Sequence, residues 1–168
     1  MALQATRLVA DVWKDDPDTL SWIKEQAKSN QNGAVRLSAA QVLVEGWKED
    51  PDTLKILKEH AQTHYNFLLR VNAVVCLACW WRDDPATLKL LKECAQSDES
   101  VLRLCTVWLL GRYSKEDSGA LAILKEIAQS DEDDNVRKNA AEQLDKFWKD
   151  DAEIQAFLKG LRNSSPAI

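Results

Sequence analysis

Apolar residues recur at every third or fourth position along most of the chain, which is the spacing of amphipathic α-helices. After Pro51 the apolar positions follow this spacing, and lysine and glutamate fill the positions between them. A second run begins near Leu69 and Arg70, and it is apolar over a larger part of its circumference. We therefore predict a helix A that buries one face and a helix B that packs between neighbours on two sides.

This two-helix pattern repeats along the chain. The phrase Trp-Lys-Asp-Asp-Pro-Asp-Thr-Leu begins at Trp13 and returns, with small changes, at Trp47 and Trp81, each time 34 residues later. Repeats of this length stack on their neighbours and share a continuous core. The pattern predicts an all-α, right-handed α-solenoid of about ten helices with a period of about 34 residues.

The repeat also predicts the domain boundaries. We expect a single domain over residues 1–168 that begins with a half repeat, 1–13, and ends with a half repeat, 150–161, and a tail, 162–168. The four full repeats between them are 15–47, 49–81, 83–114 and 116–148. The end helices of solenoids usually have a polar outer face, but the first helix of this chain contains apolar residues. These residues are Leu3, Leu8, Val9 and Val12. We therefore expect either a piece of a longer protein or ends that contact other copies.

The Asp-Pro pair of the phrase predicts the start of helix A. Aspartate accepts hydrogen bonds from the free amides of a first turn, and proline suits the first helical position. Capping of this kind accounts for the clustered acidic residues, and the chain has no Asp-x-Asp-x-Asp-Gly loop that would favour calcium. The predicted core face of the first helix A consists of Leu20, Trp22, Ile23 and Ala27.

Two columns of the repeat have a structural interpretation and a functional alternative. Tryptophan at the end of helix B is expected to pack the corner between repeats, and the alternative is an aromatic ladder that stacks bases or sugars. Arginine at the start of helix B is expected to bond a nearby carbonyl or acid, such as Asp98 or Asp131, rather than phosphate. The columns are Trp13, Trp47, Trp81 and Trp148, then Arg36, Arg70, Arg103 and Arg137.

Composition and charge exclude several classes of function. No segment is long and apolar enough for a membrane span, and a formal charge of −5 disfavours nucleic acid as a partner, so we expect a cytoplasmic protein. Cys76 and Cys79 form a CxxC, but without a second ligand pair we interpret them as core or near-core thiols. His60 and His64 lack a third ligand and are expected at a helix surface or loop. No cofactor or metal is expected, and no catalytic residue is assigned.

The Asp-Pro start of helix A and the Val/Leu-Arg start of helix B resemble HEAT repeats. The segments 81–95 and 134–141 resemble, in particular, bacterial HEAT arrays, many of them cyanobacterial, found behind NACHT-type nucleotide-switch domains. The resemblance implies a concave binding face lined by the B helices. Because bilin lyases of phycobilisome assembly also contain HEAT-like repeats, a bilin lyase or chaperone is the alternative function.

The solvent stripe of helix B contains the candidate binding site. Polar residues occupy it in one repeat, as Ser38, Gln41, Glu45 and Lys48. In the two middle repeats, apolar residues and cysteines replace these polar residues and lie beside basic ones. This is the composition of an interaction hot spot. The alternative is that tighter packing of the two repeats buries the apolar residues. The predicted partner-binding residues are Val75, Cys79, Arg82, Cys105, Trp108, Arg112 and Lys115. We expect a non-enzymatic scaffold or sensor that binds a protein or peptide, with weak end-to-end self-association.

Overall fold

The computed structural model describes residues 2–63 and 66–164, and within these ranges the regular secondary structure consists of ten α-helices. Their bounds are α1 (Ala2–Val12), α2 (Pro17–Ser29), α3 (Gly33–Gly46), α4 (Pro51–Ala61), α5 (Phe67–Trp80), α6 (Pro85–Cys94), α7 (Ser100–Tyr113), α8 (Ser118–Ser130), α9 (Asp134–Phe147) and α10 (Ala152–Ser164). The predicted all-α class and the number of helices are confirmed. Among these helices, none combines the length and apolar character that crossing a membrane requires.

Aspartates cap the A helices as predicted. The Asp50 side chain accepts a hydrogen bond of 2.9 Å from the Asp52 amide at the start of α4. At the start of α8 the phrase has lost its proline, yet Asp117 still accepts a 2.6 Å bond from the Ala120 amide. A polar cap therefore starts these helices even where the rest of the phrase has changed.

Lysines of one helix A bind the caps of the next. Lys24 on α2 lies 2.8 Å from the Asp50 carboxylate, and Lys92 on α6 lies 2.8 Å from the Asp117 carboxylate. The hydrogen bond from Lys92 lowers the pKa of Asp117, so this cap remains ionised at neutral pH. These acidic residues thus have structural partners in the preceding repeat.

The tryptophan column ends the B helices through its backbone. Trp47, Trp81, Ser114 and Trp148 share similar φ and ψ angles, and each amide donates to the carbonyl of the residue four positions earlier. Serine forms the same corner as tryptophan, so the corner does not depend on the ring. The packing interpretation is confirmed for Trp148, which is buried, and is wrong for Trp13, which is exposed.

The helices form two compact units, Met1–Trp81 and Arg82–Ile168, which we call unit 1 and unit 2. In unit 1, α3 packs against α1, α2 and α5, and α4 packs against α5. A core cluster of this unit contains Ala10, Ile23, Ala27, Ala39, Val42, Leu43 and Ile56. In unit 2, α9 packs against α7, α8 and α10, and α6 packs against α7. The unit boundary coincides with the end of the predicted repeat 49–81, and the predicted single domain stays a prediction.

Two predicted helix faces differ from the structure. Trp22, predicted in the core, is 43% exposed, whereas Ile23 and Ala27 are fully buried one turn apart. Ser38, predicted on the solvent stripe, is buried, and its hydroxyl donates a 2.8 Å hydrogen bond to the Ala34 carbonyl. A hydroxyl that bonds its own helix can enter a core, and hydropathy does not reveal this.

Candidate functional site

An exposed stripe runs along α7 in unit 2. Val101, Cys105, Trp108 and Arg112 follow one another at intervals of three or four residues, so they share one helix face. Trp108 is 40% exposed, Val101 and Arg112 are exposed, and Cys105 is partly buried. The predicted register therefore places Trp108 correctly at the surface and not in the core.

Arg112 and Tyr113 both contact the Trp108 ring. The Arg112 guanidinium lies 5.5 Å from the centroid of Trp108 and 5.7 Å from that of Tyr113. The two rings meet edge to face, with their centroids 6.4 Å apart. Contacts of this kind favour one ring orientation and place a positive charge beside the exposed indole.

The predicted residues of unit 1 lie on α5. Val75 is partly buried and Cys79 is exposed. Sequence reasoning missed two exposed apolar residues on the same helix, Leu68 and Trp80. Lys48 lies over the Trp80 ring, with its Nζ atom 5.3 Å from the centroid. The α5 helix therefore presents more apolar surface than predicted.

Val101 was also missed, and it shares a position in the repeat with Leu68. Leu68 on α5 and Val101 on α7 both occupy the second residue of helix B, where Ala34 and Asn135 stand in other repeats. A comparison of this column would have shown both residues, because they replace a small or polar side chain with a larger apolar one. The predicted stripe began one turn later and therefore omitted them.

Five of the seven predicted contact residues belong to unit 2, and two belong to unit 1. In unit 2, Cys105, Trp108 and Arg112 share the face of α7, and Lys115 is exposed just beyond its end. Arg82 is exposed before α6, where its Nε atom lies 3.8 Å from the Asp83 carboxylate. That all seven residues form one surface stays a prediction.

The arginine column makes structural contacts in both units. Arg103 is buried and forms two hydrogen bonds, 2.8 and 2.9 Å long, with the Asp131 carboxylate. Arg137 donates to the Asp131 carbonyl, so Asp131 joins the arginines of two successive repeats. In unit 1, Arg36 donates to the Asn30 carbonyl. The expected contact with Asp131 is confirmed, and these bonds use donors that a phosphate would require.

The CxxC does not have the properties of a reactive thiol pair. Burial raises the pKa of the Cys76 thiol to about 11, so this thiol stays protonated at neutral pH. Cys79 is exposed, whereas Cys76 is partly buried and donates to Asn72 Oδ1 at 3.8 Å. Over residues 2–63 and 66–164, no group of three or more His, Cys, Asp or Glu side chains is placed to hold a metal ion.

His60 is buried, which contradicts the predicted surface location. It lies one turn after Ile56 on the core face of α4, and its Nε2 atom lies 3.0 Å from the Ala27 carbonyl oxygen. Because a carbonyl only accepts, Nε2 carries the proton, and Nδ1 has no hydrogen-bond partner among the described residues. Burial lowers the pKa of His60, since protonation would place a charge in the core. His64 lies outside the described residues.

We expect acid to destabilise the chain through His60. The pKa of the folded state lies below the ordinary value of 6.5, so the unfolded chain binds a proton first as the pH falls. Between about pH 7.5 and about pH 5.5, His60 should lower the free energy of unfolding by up to about 1 kcal/mol. Urea unfolding at both pH values measures this loss. The variant His60→Gln, which keeps an N–H donor but does not titrate, should lose less stability; equal losses would contradict the prediction.

Pairs of helices that repeat the same caps and corners define the α-solenoid class of proteins. A family model described as HEAT repeats matches residues 20–111 and 61–145. The chain therefore belongs to the HEAT-repeat family, whose members generally mediate protein–protein interaction. No curated protein and no solved structure matches the chain.

Proposed function

We propose that the chain is a non-catalytic interaction module whose α7 stripe, Val101, Cys105, Trp108 and Arg112, binds a protein segment with apolar and acidic side chains. The observation that carries this proposal is the exposed Trp108 ring in contact with Arg112. Partly exposed indoles that become buried on binding are frequent hot spots of interfaces. The guanidinium beside the ring favours carboxylates, which it can bind through two parallel hydrogen bonds.

The local charge of α7 supports an acidic partner despite the negative charge of the whole chain. The helix has no aspartate or glutamate along its entire length, and of its two arginines Arg112 is exposed whereas Arg103 is buried and paired with Asp131. Charges are screened over about 8 Å at physiological salt, so the Arg112 guanidinium beside the Trp108 ring is the charge that a partner on this stripe meets most directly. We therefore expect affinity for the partner to fall as the salt concentration rises.

The roles of potentially catalytic side chains support a scaffold. Aspartates cap helices, His60 donates a hydrogen bond to the Ala27 carbonyl, and the Cys76 thiol stays protonated at neutral pH.

We propose a cytoplasmic module in a bacterium, near a NACHT-type switch domain, on the strength of the sequence resemblance. The bilin-lyase alternative predicts a shift in visible absorbance when the chain is mixed with a bilin. Val75, Cys79, Arg82 and Lys115 remain predicted contacts.

Peptide display against the purified chain tests the proposal. We expect selected peptides to be rich in aspartate, glutamate and large apolar residues. The change Trp108→Glu should weaken their binding by about tenfold or more, because it removes a hot-spot side chain and adds a negative charge. The melting temperature should change little, since Trp108 is 40% exposed. Binding is measured by fluorescence anisotropy with a labelled synthetic peptide at two salt concentrations.

The matched control is Trp22→Glu, which makes the same substitution at a similarly exposed tryptophan on α2 in unit 1. It should bind the selected peptides as the unmodified chain does. Selection of basic peptides, equal losses in the two variants, or a large loss of stability in Trp108→Glu would contradict the proposed site.

A further inference from the structure

A cavity of about 110 Å³ lies between the C-terminal halves of α1 and α3, two helices of unit 1 that pack against each other. We call it the Gly46 cavity, after the last residue of α3, which lines it. A Cβ atom added to Gly46 would meet no atom within 4 Å, and the φ angle of this glycine is not positive. The backbone at Gly46 therefore has both the room and the conformation for a larger side chain.

The position of Gly46 holds an aromatic ring in each of the next three repeats. The matching residues, each the last residue of its helix B, are Trp80 on α5, Tyr113 on α7 and Phe147 on α9. A lysine or arginine lies over each of these rings, with its charged group 5.3, 5.7 and 5.2 Å from the respective centroid. The repeat therefore combines a ring with a cation at this position, and α3 lacks the ring.

Lys14 is the cation that a ring at the position of Gly46 would meet. The cation over the Trp80 ring is Lys48. One repeat of 34 residues earlier, Lys14 occupies the position of Lys48, and it lines the Gly46 cavity. Because α1 packs against α3 and α3 packs against α5, the same contact between a lysine and a ring is available in both places.

The lining of the Gly46 cavity suits a neutral aromatic ring. Ala10 and Val42 belong to the core cluster of unit 1, and Trp47 packs against that cluster, so part of the lining is apolar. The charged lining residues are two of each sign, Arg7, Lys14, Asp11 and Glu45. Since neither sign is in excess, a charged ring has no advantage over a neutral one.

We propose that the Gly46 cavity binds a phenylalanine or tyrosine side chain of a partner protein. The ring would lie where the Trp80 ring lies one repeat later, with Lys14 over its face. A single six-membered ring is the right size, because an apolar cavity of about 150 Å³ is known to hold benzene. This site lies in unit 1 and does not depend on the α7 stripe, which belongs to unit 2.

The occupant is a protein side chain rather than a free small molecule. Trp80 is 55% exposed at the matching position, so a ring in the Gly46 cavity would bury only part of its surface. One partly buried ring gives low affinity, and it contributes to recognition when neighbouring contacts of the same partner add to it.

Titration with p-cresol, the side chain of tyrosine as a free molecule, tests the cavity by NMR. In the isotope-labelled chain the amide signals of Gly46, Trp47 and Lys14 should shift, with a dissociation constant on the order of 10 mM. Gly46→Phe should weaken this binding at least tenfold, because the new ring fills the cavity. Gly46→Ala is the matched control and should bind p-cresol normally. Circular dichroism should show unchanged helix content in both variants, since a Cβ atom has room there.

The role of Lys14 is tested without filling the cavity. Lys14→Met keeps a side chain of similar length but removes the cation, so it should weaken p-cresol binding about threefold. Trp108→Glu alters an exposed ring of unit 2 and should bind p-cresol normally, which separates this site from the α7 stripe.

Peptide display on the Trp108→Glu chain tests the kind of occupant. This variant lacks the anchor of the α7 stripe, and the double variant with Gly46→Phe serves for counter-selection. We expect the selected peptides to contain phenylalanine or tyrosine, and replacing that residue with leucine should weaken binding at least fivefold. In fluorescence anisotropy, p-cresol should compete with these peptides.

Five results would overturn the proposal. These are p-cresol shifts confined to other residues, equal p-cresol binding by Gly46→Phe and Gly46→Ala, unchanged binding in Lys14→Met, loss of p-cresol binding in Trp108→Glu, and selected peptides without an aromatic residue. A micromolar dissociation constant for p-cresol alone would also overturn it, because the cavity would then belong to a free small molecule.

Discussion

Replacing Asp131 with alanine is expected to destabilise the chain by about 3–5 kcal/mol, because it leaves a buried arginine without its main counter-charge. The side chains of Arg103 and Asp131 are 7% and 5% exposed, and two hydrogen bonds join them. In the variant, Arg103 keeps the Ser97 carbonyl and the Glu132 carboxylate. Neither contact replaces the two hydrogen bonds that the Asp131 carboxylate accepts from the Arg103 guanidinium.

Urea unfolding monitored by circular dichroism measures this effect. The control is Glu132→Ala, since Glu132 also contacts Arg103 but is 80% exposed and should contribute less than about 1 kcal/mol. The double variant Arg103→Met with Asp131→Ala should recover much of the lost stability, because no unpaired charge remains buried. Similar losses of stability in Asp131→Ala and Glu132→Ala would show that the carboxylate of Asp131 has no special role.

Replacing Gly111 with alanine is expected to destabilise the chain by about 1–3 kcal/mol, although alanine normally favours a helix over glycine by about 1 kcal/mol. The new Cβ atom would lie 2.7 Å from Gln143 Cβ and 3.0 Å from Gln143 Cγ. The Cβ atom of Gln143 is attached to the backbone, so a change of rotamer cannot move it. Relief of the clash therefore requires α7 and α9 to separate, which opens the core between them.

Thermal unfolding distinguishes this clash from ordinary helix propensity. Gly160 on α10 also lies within a helix of unit 2, and a Cβ atom there would have no neighbour within 4 Å. Gly160→Ala should therefore raise the melting temperature, whereas Gly111→Ala should lower it. Adding Gln143→Gly should relieve part of the strain in Gly111→Ala. Equal melting temperatures for the two alanine variants would rule out the close approach of the helices.

Local signals were sufficient to predict the helices and their register. The Asp-Pro pairs and the period of 34 residues depend on nearby residues, and they located the cap at Asp50. Burial depends also on neighbouring repeats. Trp22 and Ile56 occupy the same repeat position, yet one is exposed and the other buried, because α2 covers Ile56. His60 entered the core because the Ala27 carbonyl offers its ring a hydrogen bond.

The candidate site was predicted only in part. The repeat register was enough to place Trp108 and Arg112 on an exposed face, since equivalent positions could be compared across helices. Val101 and Leu68 were missed because the first turn of helix B was left out of that comparison. The contact of Arg112 with Trp108 depends on side-chain rotamers, which a pattern of residues does not determine.

The backbone corner at the end of each helix B also makes the chain suitable for fluorescence spectroscopy. Ser114 forms the same corner as the tryptophans at the matching positions, so serine should replace an indole there with little change in the turn. Trp47 lies in unit 1 and Trp148 in unit 2. In variants whose other six tryptophans are replaced, Trp47 or Trp148 alone would report the unfolding of its own unit, and a difference between the two midpoints would show that the units lose their structure independently.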